Sequence, residues 1–78
     1  MPRYYFHIRN GEDLARDPEG AEFATLDLAR AEAIKSAREL LSQRVLRGDL
    51  VNGESFELTS DDGVVADIVK FKDVMRLA

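Results

Sequence analysis

Seventy-eight residues suffice for one domain, near the lower limit at which a chain buries enough core to fold alone. The absence of cysteine excludes a disulfide framework, a thiolate metal site and a thiol nucleophile. No stretch approaches the roughly 18 apolar residues of a membrane span, and no signal-peptide core is present, so the expectation is a cytoplasmic protein with no membrane contact. The net charge of −4 argues against nucleic acid as the main partner, because phosphate contacts dominate that affinity. The charge is uneven: acid concentrates in the loops and base on the segment Thr25–Gly48.

In chain order, Arg3–Arg9 (RYYFHIR) is dense in aromatic and β-branched residues and predicts a strand over about 3–9. Tyr4, Phe6 and Ile8 point to one face, and Tyr5, His7 and Arg9 to the other. Asn10-Gly11 is a strong hairpin signal, so a short polar strand over about 12–16 should return antiparallel to the first. A one-residue bulge there would set Leu14 opposite Ile8 and bury it. Asp17-Pro18-Glu19-Gly20 matches a type I turn position by position.

The longest pattern follows. Leu26, Ala29 or Arg30, Ala33, Ala37, Leu40, Leu41 and Val45 recur at three- and four-residue spacing, with Ile34 widening the stripe, which predicts a helix over about 26–47. Thr25 or Asp27 supplies the N-terminal cap, and Gly48 the left-handed stop behind Arg44 and Arg47. Asp49–Gly53 reads as a loop. Glu54–Thr59 alternates as a strand over about 54–59, Ser60-Asp61-Asp62-Gly63 suits a type I turn with a left-handed Gly, and a last strand covers about 64–71. Lys72–Ala78 is a tail with room for one helical turn started by Asp73. The fold class is α+β in the order β-β-α-β-β, a mainly antiparallel sheet with one long helix on one face.

The first and last strands are apolar on both sides, so they are expected at the centre of the sheet with something covering the second face. One helix covers one face, and a second copy of the chain is the simplest cover for the other, in a homodimer through Tyr5, His7, Val65, Val69 and Phe71. A partner protein is the alternative cover. His7 is the lone histidine and has no nucleophile or orienting acid at local spacing. No ligand set for a metal and no phosphate-cradling glycine loop occurs, so neither catalysis nor a cofactor is expected. Lys35, Arg38, Arg44 and Arg47 form a candidate phosphate-contacting face on the helix. Its blander reading is a solvated, ion-paired surface.

The pieces YYFHIRNG, DPEG and ARAEAIKSARELL, with FELTSDDG and the closing VKF, resemble a family of short bacterial proteins known only as a domain of unknown function. The resemblance runs from Met1 to about Met75 and implies a compact single domain with no activity to carry over. Where it implies Val-Pro-Phe, this chain reads Val69-Lys70-Phe71, with one more backbone donor. A narrower likeness, over Arg3–Ile8 and Thr25–Leu41, is to antitoxins of the HicB kind, and implies a regulator that binds a partner protein or nucleic acid. The reading that follows from the residues is a non-catalytic interaction or assembly module.

Overall fold

The structure, a computed structural model, describes residues 2–48 and 53–77, so most of the expected Asp49–Gly53 loop lies outside the described residues. The elements are β1 (Arg3–Asn10), β2 (Asp13–Ala15), β3 (Ala21–Glu22), α1 (Leu26–Arg47), β4 (Glu54–Ser60), β5 (Val65–Lys70) and α2 (Phe71–Leu77). The sheet is antiparallel throughout, in the order β2-β1-β4-β5, with β3 also pairing β1. Because β4 pairs β1 from Tyr4 to Asn10, β2 and β3 share the opposite edge of β1, one at each end. The α+β class and the strand–strand–helix–strand–strand order match the sequence expectation, with the two-residue β3 added and the helical turn expected in the tail beginning at Phe71 as α2.

Helix α1 forms where its periodicity places it. The Thr25 Oγ1 accepts from the Leu28 N–H at 3.2 Å, satisfying one of the orphan donors of the first turn, and Gly48 ends the helix at φ 77°. Thr25, rather than Asp27, is therefore the cap. Ala29, Ala33 and Ala37, spaced by four, are 0% exposed, and Leu41 continues their line. Three methyl-sized side chains in a row let the helix backbone settle close to the sheet. Across from them lie Phe56 and Leu58 of β4 and Val69 of β5, with Tyr4, Phe6 and Ile8 of β1 packed at the margin of the same core. The side chain of Val45 lies outside the described residues.

Four expectations are corrected. First, the central strands are β1 and β4, and β5 is an edge. Phe56, Leu58 and Thr59 of β4 are all buried, whereas most of β5 is exposed. Second, the hairpin turns on Gly11-Glu12. Asn10 stays in the strand and pairs Asp13, so Leu14 faces Arg9 on the outer side of the sheet and not Ile8 on the core side. Positive φ at the first central residue alone is the type II′ pattern, and glycine takes it without strain: Gly11 has φ 62°.

Third, the faces of β5 are the reverse of the expected ones over most of its length. Phe56 pairs Val69 and Leu58 pairs Asp67, so Val69 and Asp67 face the helix. The ladder then slips between Leu58 and Thr59, and Thr59 pairs Val65, leaving Ala66 as the extra residue of a bulge. The slip returns Val65 to the outer face beside Ile68. Val69 is thus a core residue and not a member of the outer face. Fourth, β5 ends at Lys70. Phe71 opens α2 instead of extending the strand, and its ring sits edge-on to Phe56 at 5.0 Å, 1% exposed. The second hairpin forms as expected: the Gly63 N–H donates to the Ser60 carbonyl at 2.9 Å and Gly63 has φ 82°.

Candidate functional site

The side of the sheet away from α1 carries an open groove of about 640 Å³. Its floor is β1 and β4, where Tyr5 pairs Thr59, His7 pairs Glu57 and Arg9 pairs Ser55. Its walls are Leu14, Arg16, Asp17 and Pro18 on one side and Asp61, Gly63 and Val65 on the other. The alternation of β1 puts Tyr5 and His7 on the same side two residues apart, and their rings stack at 6.0 Å and 24°.

Tyr5, His7, Arg9, Glu57 and Thr59 on the floor each have a hydrogen-bond partner within the chain. The Tyr5 hydroxyl donates to Asp61 Oδ1 at 3.2 Å. Desolvation raises the Tyr5 pKa, and the Asp61 hydrogen bond and charge raise it further, so the phenol stays protonated at neutral pH. Arg9 Nε donates to Glu57 Oε2 at 2.9 Å, which pushes the guanidinium further above its ordinary range. Thr59 Oγ1 donates to the Glu57 carbonyl at 3.1 Å. Ser60 Oγ bonds to Asp62 in the turn, and that hydrogen bond lowers the Asp62 pKa.

Asp17 organises the wall beside β1. Between β2 and β3, β1 has no strand on this edge, and the Asp17 side chain fills the gap. Its Oδ2 accepts from the Phe6 N–H at 3.2 Å and its Oδ1 from the Glu19 N–H at 3.2 Å. Its own N–H donates to His7 Nδ1 at 3.0 Å, which makes Nδ1 an acceptor and places the ring proton of the neutral imidazole on Nε2. The next bend is equally tight. Gly20 sits at φ 66°, and a Cβ there would lie 2.9 Å from the Tyr5 ring, so only glycine lets the connector close over the groove.

Burial acts to raise the Asp17 pKa, but the backbone donors of Phe6, Gly20 and Glu19 outweigh it, and the net shift is downward. A carboxylate whose pKa is lower folded than unfolded stabilises the fold above its unfolded value, about 3.9, and loses that contribution as the pH falls through its folded value. The stability gap between the native chain and Asp17→Ala should therefore be level from neutral pH down to about pH 5 and shrink in more acidic solution. Urea unfolding at pH 7 and in acid checks it; a gap that widens in acid would contradict the assignment.

Of the residues singled out in the sequence, Tyr5, His7 and Val65 come together on the groove. Val69 and Phe71 are buried beneath the sheet and do not. The helix cations separate as well. Arg44 pairs with Glu54 and lies 6.0 Å over the Phe71 ring, so it closes the end of the core instead of joining a basic face. Lys35 and Arg38 are exposed on α1, and Arg47 is exposed at its end. Asp17, Glu57, Thr59 and Asp61 were not singled out as groove residues. Tyr5 and Asp61 are 56 positions apart, and no local pattern reports that contact.

No described group of three or more His, Cys, Asp and Glu side chains is arranged to hold a metal ion, and no described hydroxyl hydrogen-bonds to the His7 ring. No described helix is long and apolar enough to cross a membrane. No curated protein and no solved structure matches the chain, and nothing supports the antitoxin likeness. A family described as a domain of unknown function, DUF6894, matches residues 3–72, which is all of β1 through β5 and the start of α2. The chain therefore belongs to the DUF6894 family.

Proposed function

We propose that this chain is a non-catalytic assembly module that pairs with a second copy of itself through the outer face of its sheet. The observation behind this reading is the unequal treatment of the two faces. Helix α1 covers one, while the other exposes Val65 (44%) and Ile68 (48%) beside the Tyr5–His7 stack, with no described element over it. In a domain this small, burying that strip against its own copy adds apolar contact that one helix cannot supply. The groove floor favours a binding surface over an active site. Tyr5 is held by Asp61 and Arg9 by Glu57, and the His7 nitrogen that faces Asp17 is already an acceptor.

Light scattering tests the reading, with Ile68→Asp as the probe. Val69→Asp would damage the core instead. The native chain should have twice its monomer mass, and Ile68→Asp should return it to a folded monomer, as judged by circular dichroism. A native chain that stays monomeric at high micromolar concentration overturns the proposal. If that monomer then binds RNA or DNA with affinity falling steeply as salt rises, the antitoxin-like regulator replaces it.

A further inference from the structure

Strand β5 is one edge of the sheet, and a free edge is a template for another strand unless something blocks it. In this chain the block is visible. The Ile68 N–H donates to Asp67 Oδ1 at 2.8 Å, and the Ile68 carbonyl accepts from Arg30 Nη1 at 3.4 Å. Both backbone groups of Ile68 thus point away from β4, and both are taken by side chains. The same two side chains bind each other: Arg30 Nη1 donates to Asp67 Oδ2 at 2.8 Å. Arg30 reaches the edge from α1, so one ion pair ties the helix to the strand and occupies the hydrogen-bonding positions a neighbouring strand would use.

The edge beneath this clip suits one occupant, a second β5 running antiparallel. The strand begins after an acidic turn, with Asp61 and Asp62 exposed, and it ends in exposed Lys70 with exposed Lys72 just beyond. Neither lysine has an ion-pair partner among the described residues. Antiparallel self-pairing sets the acidic start of each strand beside the basic end of the other, whereas parallel pairing sets like against like. A register that places Val65 opposite Ile68 of the second copy brings two apolar pairs together on the outer face and sets Lys70, the last residue of the strand, beside Gly63 at the end of the acidic turn. Cross-strand pairs of this kind are the unit of sheet stabilisation.

We infer that β5 is a self-pairing edge held closed by the Arg30–Asp67 ion pair, and that removing the pair lets two copies join strand to strand. This association is separate from the outer-face pairing proposed above and does not depend on it.

The chain has no cysteine, so a single thiol placed at Ala66, on the edge, reports edge contact through a short bis-maleimide. A thiol at His7 reports outer-face contact. Removing the clip with Arg30→Ala and Asp67→Ala should raise cross-linking at position 66 about ten-fold, the ratio expected for roughly 1.4 kcal/mol of added pairing. Adding Lys70→Glu and Lys72→Glu should cancel the rise. Arg30→Gln, which keeps a good helix former and loses only the charge, replaces the double variant if circular dichroism shows that the latter does not fold. Equal cross-linking with and without the clip overturns the inference, and so does a rise that the lysine reversals leave intact. A failure of the outer-face proposal shows instead as an absent cross-link at position 7 in the native chain.

Discussion

Phe71→Ala should remove a large share of the chain's stability, and urea titration should show its midpoint falling steeply. The ring is 1% exposed and stands edge-on to Phe56, an arrangement worth more than its buried area alone. The guanidinium of Arg44, tied to Glu54, lies 6.0 Å from the centre of the same ring, and Val74 of α2 joins the cluster. Truncating a buried phenylalanine costs about 3–5 kcal/mol through lost transfer energy and the cavity left behind. A domain of 78 residues has only about 4–12 kcal/mol in total. The loss is therefore a large share of all the stability present. Ile68→Ala is the control. That side chain is 48% exposed on the outer face, and its truncation should cost well under half as much. If the two costs were equal, Phe71 would be a surface residue, as its place at the end of an alternating strand suggested.

Phe71 also shows where sequence reasoning ran out. Helix α1 was legible to the residue because its signals are local: a capping threonine, a 3.6-residue stripe and a closing glycine sit within one continuous segment. The Ser60–Gly63 turn was legible for the same reason. The faces of β5 were not. Alternation groups Val65, Val69 and Phe71 correctly only if the strand is unbroken, and the bulge at Ala66 breaks it. Nothing at Ala66 announces a bulge; it follows from how β5 must meet both the ladder of β4 and the turn before it.

The order of strands escaped for a related reason. A strand apolar on both sides looks central, but the exposed side of β5 is an edge strand's outer face. The central β4 has Glu57 among its outward residues, and the Arg9 guanidinium, brought from 48 positions away, offsets that charge. The groove was half legible. Tyr5 and His7 share a face by simple alternation, whereas the stitching of β1 by Asp17 replaces strand pairing with a side chain. The sequence DPEG reports only the turn.

The three alanines of α1 carry the second large expectation. Ala33→Leu should lower the thermal midpoint, although leucine is nearly as good a helix former as alanine and adds apolar surface. Ala33 is 0% exposed between Ala29 and Ala37, at the level where helix and sheet approach through methyl groups alone. A leucine there has to displace the helix or force side chains such as Leu58, itself 0% exposed, out of their rotamers. Overpacking of this kind costs about 1–3 kcal/mol, and each kcal/mol lowers the midpoint of a domain this size by about 4–8 °C. Ala31→Leu, on the exposed side of the same helix, has the same composition change without the clash and should shift stability by no more than about 0.5 kcal/mol. The comparison separates a steric cost from a propensity effect. Ala33→Leu as stable as Ala31→Leu would mean that room remains between helix and sheet, and that the alanine stripe does not set their distance. A drop confined to Ala33→Leu makes the stripe the reason that one helix can close one face of this sheet.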